Sequence, residues 1–242
     1  MRIAVITPYF KESLDVLQGC HASVAAQTYP GITHFMVADG HPRPEIDAWP
    51  VRHFPLPWNH GDFGDTPRAV ASMSACSQGF DAIAFLDADN WYEPNHIESM
   101  VRVQAETNAH VVTATRNLIR PDGSVMAVCK YSDGVAFCDM NCFFITRPAF
   151  GALGQWAFKN PAASIIDDYV LWEIIKGSNA RLARSDEPTV NYRTMWAMTY
   201  IEHGEEPPPG SRCMLRSPEM PYPKLFDYWT VKRMHEAGEA IT

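Results

Sequence analysis

The chain has 242 residues, 46% of them hydrophobic, and no long run of charge or of Ser and Gly, so it is long enough to bury a real core. Its formal net charge of -8 argues against a general affinity for nucleic acid or for anionic membranes. No stretch approaches the ~20 apolar residues of a membrane span. The opening apolar run before Pro8 is too short for a signal peptide, so the sequence predicts a cytoplasmic protein.

The first half of the chain alternates strand patterns with helical patterns. Strands are predicted at "IAVITPY", "THFMVADG", "VRHFPL" and "DAIAFLDAD". Helices are predicted around Leu14, Leu17 and Val24, over residues 66–78, and around Ile97, Met100 and Val101. For the second helix, Thr66 is the expected N-cap, Pro67 the first helical residue and Gly79 the stop. This alternation predicts an α/β protein with a mostly parallel twisted sheet and helices on both faces.

The second half of the chain is less regular. Strand patterns "AHVVTATRNLI", "SVMAVCK" and "MNCFFITR" are followed by a helix over about residues 165–176 and by an irregular C-terminal segment rich in Pro and aromatic residues. No repeat or linker separates independent domains, so we expect a single domain over residues 1–242. The six cysteines lack CxxC spacing and are expected to be reduced and mostly buried.

Two acids stand at the end of an apolar run in "AFLDADNWYEP". Asp87 and Asp89 follow a predicted strand, and Asp39 ends another. Ligands of an open α/β sheet bind beyond the carboxyl ends of its strands. Two acids two residues apart point the same way in an extended chain, and a hard divalent ion shared with phosphate oxygens would relieve their repulsion. The alternative is that one acid caps the next helix while the other is solvated.

Several segments together resemble a family 2 glycosyltransferase with the GT-A fold. They are "IAVITPYFKE", "HFMVADG", "DTPRAVASMSACSQGFDAIAFLDADNWYEP", "MNCFFITRPAF" and "IIDDYVLWEI", over about residues 1–195. Asn90 stands where the family has a third acid after the DxD motif. The resemblance implies a Rossmann-like fold of GT-A type. It also implies a nucleotide-binding half at about 1–110, an acceptor-side half at about 111–200 and a C-terminal segment at about 201–242.

The resemblance also implies roles for individual residues. Thr7, Pro8 and Tyr9 would line the nucleotide, Asp39 would hydrogen-bond its base, and Arg68, Asp87 and Ala88 would lie beside it. Asp89 would bind Mn²⁺ or Mg²⁺ directly, with Asp87 as the other DxD acid, and His203 is a candidate third ligand. Arg193 is an alternative partner of the leaving diphosphate. Local interpretations stay open: Pro8 and Tyr9 as a turn, Asp39 with Gly40 as a β-turn, and Arg68 as an ordinary first-turn residue of a helix.

An acidic pair opens the predicted helix at 165–176. The spacing of Ser164 and Asp167 fits a capping box, and Ile166, Val170 and Ile174 would form the buried row of the helix. Asp167 would then have a structural role at the helix start. Asp168 matches the second acid of the family's pair, and the resemblance implies that it is the general base.

These expectations combine into an inverting, metal-dependent glycosyltransferase of hexosyltransferase type. It would move a sugar from a nucleotide-sugar donor, expected to be a UDP-sugar, to a hydroxyl of a saccharide or glycoconjugate acceptor. Alternatives are a nucleotidyltransferase of similar fold, a phosphatase with an aspartyl nucleophile, and a non-catalytic nucleotide-sugar binder. A nucleotidyltransferase would have a glycine-rich basic loop after the first strand, which "TPYFKESLD" lacks. A phosphatase with an aspartyl nucleophile would have its DxD motif after the first strand, whereas here the motif follows a later strand. The C-terminal aromatic residues would form a lid or a stacking surface for an acceptor sugar, or would pack the C-terminal segment down or form a homodimer contact: Trp196, Tyr222, Phe226, Tyr228 and Trp229.

Overall fold

A computed structural model describes residues 1–216 and 221–237. Tertiary contacts divide the chain into two compact units, Met1–Leu118 with Met126–Tyr192, and Ile119–Val125 with Arg193–Thr242. Positions 217–220 and 238–242 of the expected C-terminal segment lie outside the described residues. The three-part division expected from the sequence stays a prediction.

The secondary structure alternates through the first half, as predicted. The strands are β1 (Ile3–Tyr9), β2 (Ile32–Asp39), β3 (Arg52–Leu56), β4 (Ala82–Phe85), β5 (Trp91–Tyr92), β6 (Val111–Ile119), β7 (Val125–Val128), β8 (Phe143–Thr146), β9 (Leu182–Arg193), β10 (Arg212–Leu215) and β11 (Lys224–Asp227). The α-helices are α1 (Leu14–Ala25), α2 (Asp65–Ser77), α3 (His96–Thr107), α4 (Gln155–Phe158), α5 (Asp167–Lys176), α6 (Ala197–Glu202) and α7 (Tyr228–Glu236). Short 3₁₀ helices occupy Pro44–Ala48, Met140–Cys142, Arg147–Gly154 and Pro161–Ile166.

One sheet runs in the order β3-β2-β1-β4-β8-β6-β9-β5, with β7 paired to β6. The strands β3, β2, β1 and β4 form a parallel block. The next strand, β8, is antiparallel both to β4 and to β6. The carboxyl ends of the parallel block therefore meet, on the same edge of the sheet, the amino end of β8.

Helices cover both faces of the parallel block. At the end of β1, Thr7 Oγ1 lies 3.7 Å from Cys20 Sγ of α1, whereas the next residue, Pro8, packs against Gly64 at the start of α2. Successive side chains of a strand point to opposite faces, so α1 and α2 lie on opposite sides of the sheet. This arrangement confirms the predicted α/β architecture.

The start of α2 differs from the prediction by one residue. The helix begins at Asp65, and Gly64 precedes it with φ 90. Asp62 supplies the capping carboxylate, because its Oδ2 accepts from the backbone N–H of Thr66 at 3.0 Å and from Thr66 Oγ1 at 2.6 Å. The prediction of Thr66 as the N-cap was wrong, since Thr66 donates to an earlier cap instead of acting as one.

The start of α5 also corrects the sequence interpretation. Ser164 lies in the 3₁₀ helix that precedes α5 and accepts a hydrogen bond from Lys159 Nζ at 2.9 Å, so no capping box forms with Asp167. The predicted buried row was wrong as well: Leu171, Trp172 and Ile175 are buried, whereas Ile174 is 40% exposed. The buried face is displaced by one residue, which places Asp167 in line with Leu171 and Ile175.

The second unit holds the antiparallel pair β10 and β11 and the short helices α6 and α7. Arg120 pairs with Glu205 through two hydrogen bonds of 2.8 and 2.5 Å. Trp229 donates its indole N–H to Pro208 O at 3.3 Å and contacts Tyr228 edge to face. A role of these aromatic residues as a lid or dimer contact stays a prediction.

Two further expectations concern cysteines and membranes. All six cysteines are free, and Cys20, Cys129, Cys138 and Cys142 are buried, as predicted. In the described ranges no helix is both long and apolar enough to cross a bilayer.

Candidate active site

The site lies at the carboxyl ends of β1, β2 and β4. Ile6 of β1 is paired with Phe35 of β2 and with Phe85 of β4, so Asp39 and Asp87 follow within a few residues at the same edge. This edge is where ligands bind in open α/β sheets. The fold therefore brings Asp39 and Asp87 to the edge at which the sequence predicted a nucleotide.

Asp87 is clamped from two sides. Its Oδ1 accepts from Arg68 Nη2 at 2.5 Å, and its Oδ2 accepts from Asn141 Nδ2 at 2.8 Å. The backbone N–H of Asp87 donates to Asn141 Oδ1 at 2.6 Å, so a single amide side chain holds both the backbone and the carboxylate. Arg68 also donates from Nη1 to Phe63 O at 3.0 Å. The orientation of Asp87 is thus fixed before any ligand arrives.

Arg68 and Asn141, which together form the clamp on Asp87, are supported by a buried ion pair that contacts Asn141. Asn141 Nδ2 also donates to Asp139 Oδ1 at 2.8 Å, and Asp139 pairs through Oδ2 with Arg116. The guanidinium of Arg116 lies 4.0 Å from the centroid of the Tyr192 ring. Arg116, Asp139 and Asn141 are all almost fully buried. These contacts link β4, β6 and the segment before β8 into one polar network.

Asp89 is placed differently from Asp87. Its side chain is exposed, two residues beyond the clamp, while the intervening Ala88 is buried in the core. Among residues 1–216 and 221–237, no three His, Cys, Asp or Glu side chains gather closely enough to hold a metal ion. Mg²⁺ and similar cations commonly take one or two protein carboxylates and complete their shell with phosphate oxygens and water. Asp89, which is exposed at this edge, fits that minimal role. Both oxygens of Asp87 accept hydrogen bonds from Arg68 and Asn141.

Asp167 belongs to a second buried cluster of charges. Its oxygens accept from Gln155 Nε2 at 2.7 Å and from Trp156 Nε1 at 2.8 Å. Lys159, ion-paired with Asp65, lies 3.8 Å from Asp167. Burial, followed by the charge of Asp167, raises the pKa of Asp65 to about 7. Asp167 therefore has a structural role, although it is not the capping role that the sequence indicated.

Among the residues that the structure describes, Asp168 has no side-chain partner of that kind. Asp168 is partly exposed, and its Oδ1 accepts a hydrogen bond from the backbone N–H of Tyr169 at 2.9 Å. Burial of the carboxyl raises the pKa of Asp168 well above its ordinary value, and the charge of Asp139 adds to the rise. A carboxylate with a raised pKa is a stronger proton acceptor than an ordinary aspartate.

Asp39 is engaged by a residue that the sequence analysis did not single out. The backbone N–H of His60 lies 3.1 and 3.2 Å from its two oxygens, and His60 Nδ1 lies 2.6 Å from Oδ1. The loop carrying His60 passes close to Gly40, where a Cβ would lie 2.3 Å from Asn59 N. Gly40 also has φ 79, so any side chain there would both collide and strain the backbone.

Thr7, Pro8 and Tyr9 are all buried at the end of β1. Thr7 Oγ1 contacts His34 Nε2 at 2.9 Å, and the Tyr9 hydroxyl contacts His53 Nε2 at 2.6 Å. These buried side chains therefore lie beneath the carboxyl edge of the sheet. Their contact with a nucleotide stays a prediction.

His203 and Arg193 lie in the second unit. His203 follows α6 and makes a 2.7 Å hydrogen bond from Nδ1 to Thr199 O. Roles for His203 as a metal ligand and for Arg193 beside a diphosphate stay predictions.

The residues missed by sequence reasoning are Asn141, Asp139, Arg116 and His60. Asn141 and Asp139 stand in "FCDMNCFF", where polar residues directly precede a buried strand. That placement is a signal, but it does not reveal the partner 54 residues earlier in the chain.

Comparisons with known proteins identify the family of the chain. The model of the family described as Glycosyl transferase family 2 matches residues 4–147. No curated protein matches the sequence significantly.

Among solved structures, TarS of S. aureus is similar in fold. The chain matches a TarS 1-349 crystal structure in complex with UDP with a TM-score of 0.62 at 14% identity, covering 84% of this chain and 63% of that one. It matches TarS 1-349 in complex with UDP-GlcNAc with a TM-score of 0.61 at 16% identity, covering 80% and 59%. The chain thus spans less than two thirds of the TarS structures it matches. With more than half of its residues matched by the family model, the chain belongs to glycosyl transferase family 2.

Proposed function

We propose that this protein is an inverting, metal-dependent glycosyltransferase that moves a sugar from a UDP-sugar to a hydroxyl of a saccharide-type acceptor. The observation that carries the proposal is the clamped Asp87 beside an exposed Asp89 at the carboxyl edge of the parallel block. UDP and UDP-GlcNAc in the similar TarS structures support a uridine nucleotide as the donor.

On the donor side, Asp89 is the residue that would hold Mn²⁺ or Mg²⁺. The cation would supply charge stabilisation to the departing nucleoside diphosphate. Arg68 would face the same diphosphate from the first turn of α2, where a cation is otherwise misplaced near the positive helix end. Burial alone lowers the pKa of Arg68, but Asp87, Asp167 and Asp65 together raise it, so the guanidinium keeps its charge.

On the acceptor side, Asp168 is the proposed general base. The acceptor oxygen forms a bond to the anomeric carbon as the bond from that carbon to the diphosphate oxygen breaks. The hydroxyl proton passes to the Asp168 carboxylate, and the nucleoside diphosphate leaves with the bonding electrons. A single displacement of this kind inverts the anomeric configuration.

Calorimetry and a transfer assay test the proposal. UDP is titrated into the protein with Mn²⁺ and after EDTA treatment, and we expect binding only with the cation. Asp89→Asn should weaken Mn²⁺-dependent binding at least tenfold, because it removes the direct ligand. Asp186→Asn is the matched control, because this substitution removes the same charge at a different position. The Asp186 side chain is 95% exposed. Equal UDP affinity with and without the cation would overturn the metal role.

Turnover separates the alternatives. Release of UDP from UDP-sugars, measured with and without simple saccharides, would identify a transferase. Stoichiometric binding without any release would indicate a nucleotide-sugar binder instead. Formation of a nucleotide sugar from a sugar phosphate and a nucleoside triphosphate would indicate a nucleotidyltransferase. The cytoplasmic location and the homodimer stay predictions.

A further inference from the structure

The Asp39–His60 pair is a buried acid joined to a half-buried histidine at the edge where the donor would bind. Asp39 is 6% exposed, and the His60 side chain is 31% exposed. The backbone N–H and Nδ1 of His60 both point at the carboxylate. Within the described part of the chain, His60 Nε2 makes no hydrogen bond.

The pair sets the hydrogen positions of the imidazole. A carboxylate accepts hydrogen bonds, so Nδ1 carries the hydrogen, and in the neutral ring Nε2 is left as an acceptor. The loop is held in place by the backbone hydrogen bond and by the close approach of Asn59 to Gly40. His60 therefore presents an oriented acceptor with a fixed tautomer.

The position of the pair fits the nucleoside rather than the diphosphate. Asp87 follows β4 and Asp39 ends β2, so β1 lies between them in the sheet. Two strand spacings amount to about 10 Å, a gap that the ribose of a nucleotide can span. On the other side of β4 the sheet continues with antiparallel β8, and Asn141 lies in the 3₁₀ helix that directly precedes β8 at this edge. We therefore expect the nucleobase at the carboxyl ends of β1 and β2, on the side of Asp87 away from β8.

We infer that His60 reads the nucleobase of the donor, accepting a hydrogen bond at Nε2 from a ring N–H while Asp39 holds the imidazole in that tautomer. The inference rests on the proposed function, because it requires a nucleotide at this edge. Uracil and thymine carry a hydrogen on N3, whereas N3 of cytosine and N1 of adenine are bare acceptors. The pair thus selects bases with a ring N–H and disfavours cytosine and adenine.

Two substitutions distinguish recognition of the nucleobase by His60 from a purely structural role of His60 in its loop. In His60→Asn the amide nitrogen can replace Nδ1 as the donor to Asp39, but nothing replaces Nε2. In His60→Gln the longer side chain can carry its amide oxygen toward the position of Nε2. If His60 reads the base, the Gln variant keeps a preference for uridine and the Asn variant loses it. A purely structural role predicts the opposite order, because only Asn preserves the contact with Asp39.

The experiment is calorimetry of UDP, CDP and ADP with Mn²⁺ on the whole chain. We expect the wild type to prefer UDP over CDP, and His60→Asn to lose about tenfold in UDP affinity while CDP affinity stays unchanged. His110→Asn is the control, because His110 directly precedes β6 at the opposite, amino edge of the sheet.

The outcomes distinguish the two levels of the proposal. A wild type that binds none of the three nucleotides overturns the proposed function. A wild type that binds UDP, together with a His60→Asn variant of unchanged preference between UDP and CDP, overturns only the role of His60. A rise in UDP affinity in His60→Asn would instead identify His60 as a cover that donor binding displaces from Asp39, and would also overturn the inference.

Discussion

The side chain of Asn141 grips Asp87 at two points, its Oδ1 accepting from the backbone N–H and its Nδ2 donating to the carboxylate. The same Nδ2 donates to Asp139, so one buried amide separates two carboxylates. Few other side chains could do this, because the position requires an acceptor and a shared donor in one rigid plane.

The isosteric change Asn141→Asp tests this relationship. It keeps the shape of the side chain but replaces the donor with an acceptor, so three carboxylates meet in a buried space. We expect a loss of about 2–4 kcal/mol in the free energy of unfolding, larger at pH 8 than at pH 5, measured by urea denaturation. UDP affinity should fall with it. Asn95→Ala, which removes a single contact to the exposed Glu187, is the control. A stability loss that does not change with pH would contradict the explanation.

The Arg116–Asp139 pair makes a second prediction about stability. Both side chains are buried, so Arg116→Met leaves Asp139 charged and unpaired, at a cost of about 3–5 kcal/mol. The exposed pair of Arg102 with Glu187 gives the matched control, and Arg102→Met should cost less than about 1 kcal/mol. Chemical denaturation of both variants measures the difference. Similar costs for the two would show that the buried pair is not the anchor.

The acids at the start of α5 are predicted to differ in kind. Asp168→Asn removes the proton acceptor at nearly constant size, so the transfer rate should fall by about 10²-fold or more with little change in UDP affinity. Asp167→Asn places an amide opposite the donors of Gln155 and Trp156, so it should chiefly lower stability, by about 1–3 kcal/mol. Rates, UDP affinities and melting temperatures of both variants decide. A folded, inactive Asp167→Asn beside an active Asp168→Asn would reverse the assignment.

The proposed base also predicts a pH profile. Because burial and Asp139 raise the pKa of Asp168, its carboxylate is lost on acidification at a higher pH than an ordinary aspartate. The acidic limb of kcat/KM should therefore lie above the range of an unperturbed aspartate, which is about 4. Asp139→Asn should move the limb to lower pH. An unmoved limb in a folded Asp139→Asn variant would argue against Asp168 as the titrating group.

Buried histidines predict a loss of stability in acid. Desolvation lowers the pKa of His96 to about 3, and desolvation with the neighbouring His21 lowers the pKa of His34 to about 3. The unfolded chain binds these protons near pH 6.5, so the contribution of each is present above that pH and is lost as the pH falls toward 3. Between pH 7.5 and 5 each should cost about 2 kcal/mol.

Urea denaturation of the wild type and of His34→Gln at both pH values measures that contribution. The variant should lose less stability on acidification than the wild type. His235→Gln, at an exposed position of α7, should behave like the wild type. An equal loss in all three proteins would contradict the assignment to His34.

The sequence was sufficient for the parallel block and for the acids that follow it. Asp87 and Asp89 could be predicted because a buried apolar strand that ends in acids is visible over a few residues. The start of α5 could not be predicted, because the spacing of Ser164 and Asp167 also fits a capping box that the structure does not form. Asp167 faces the core because Gln155 and Trp156, which belong to α4, donate hydrogen bonds to its carboxylate. These contacts cannot be seen in the local sequence of α5.

The clamp and the Asp39–His60 pair were beyond sequence reasoning for a related reason. Asn141 reaches Asp87 only because β8 pairs antiparallel with β4, and that strand order is not encoded in any short motif. His60 reaches Asp39 because its loop passes against Gly40. The glycine is visible in the sequence, but the neighbour that requires it is not.

The antiparallel pairing of β4 with β8 also has a consequence for the order of folding. Residues Asp87 and Asn141 are separated by 54 positions, and closing such a loop costs entropy before the contact is gained. A nascent chain that has emerged only as far as Cys129 already exposes Arg68, Asp87 and Asp89, but Asn141, whose amide orients Asp87, has not yet emerged. Donor binding should therefore emerge late in synthesis, after β8 has joined the sheet.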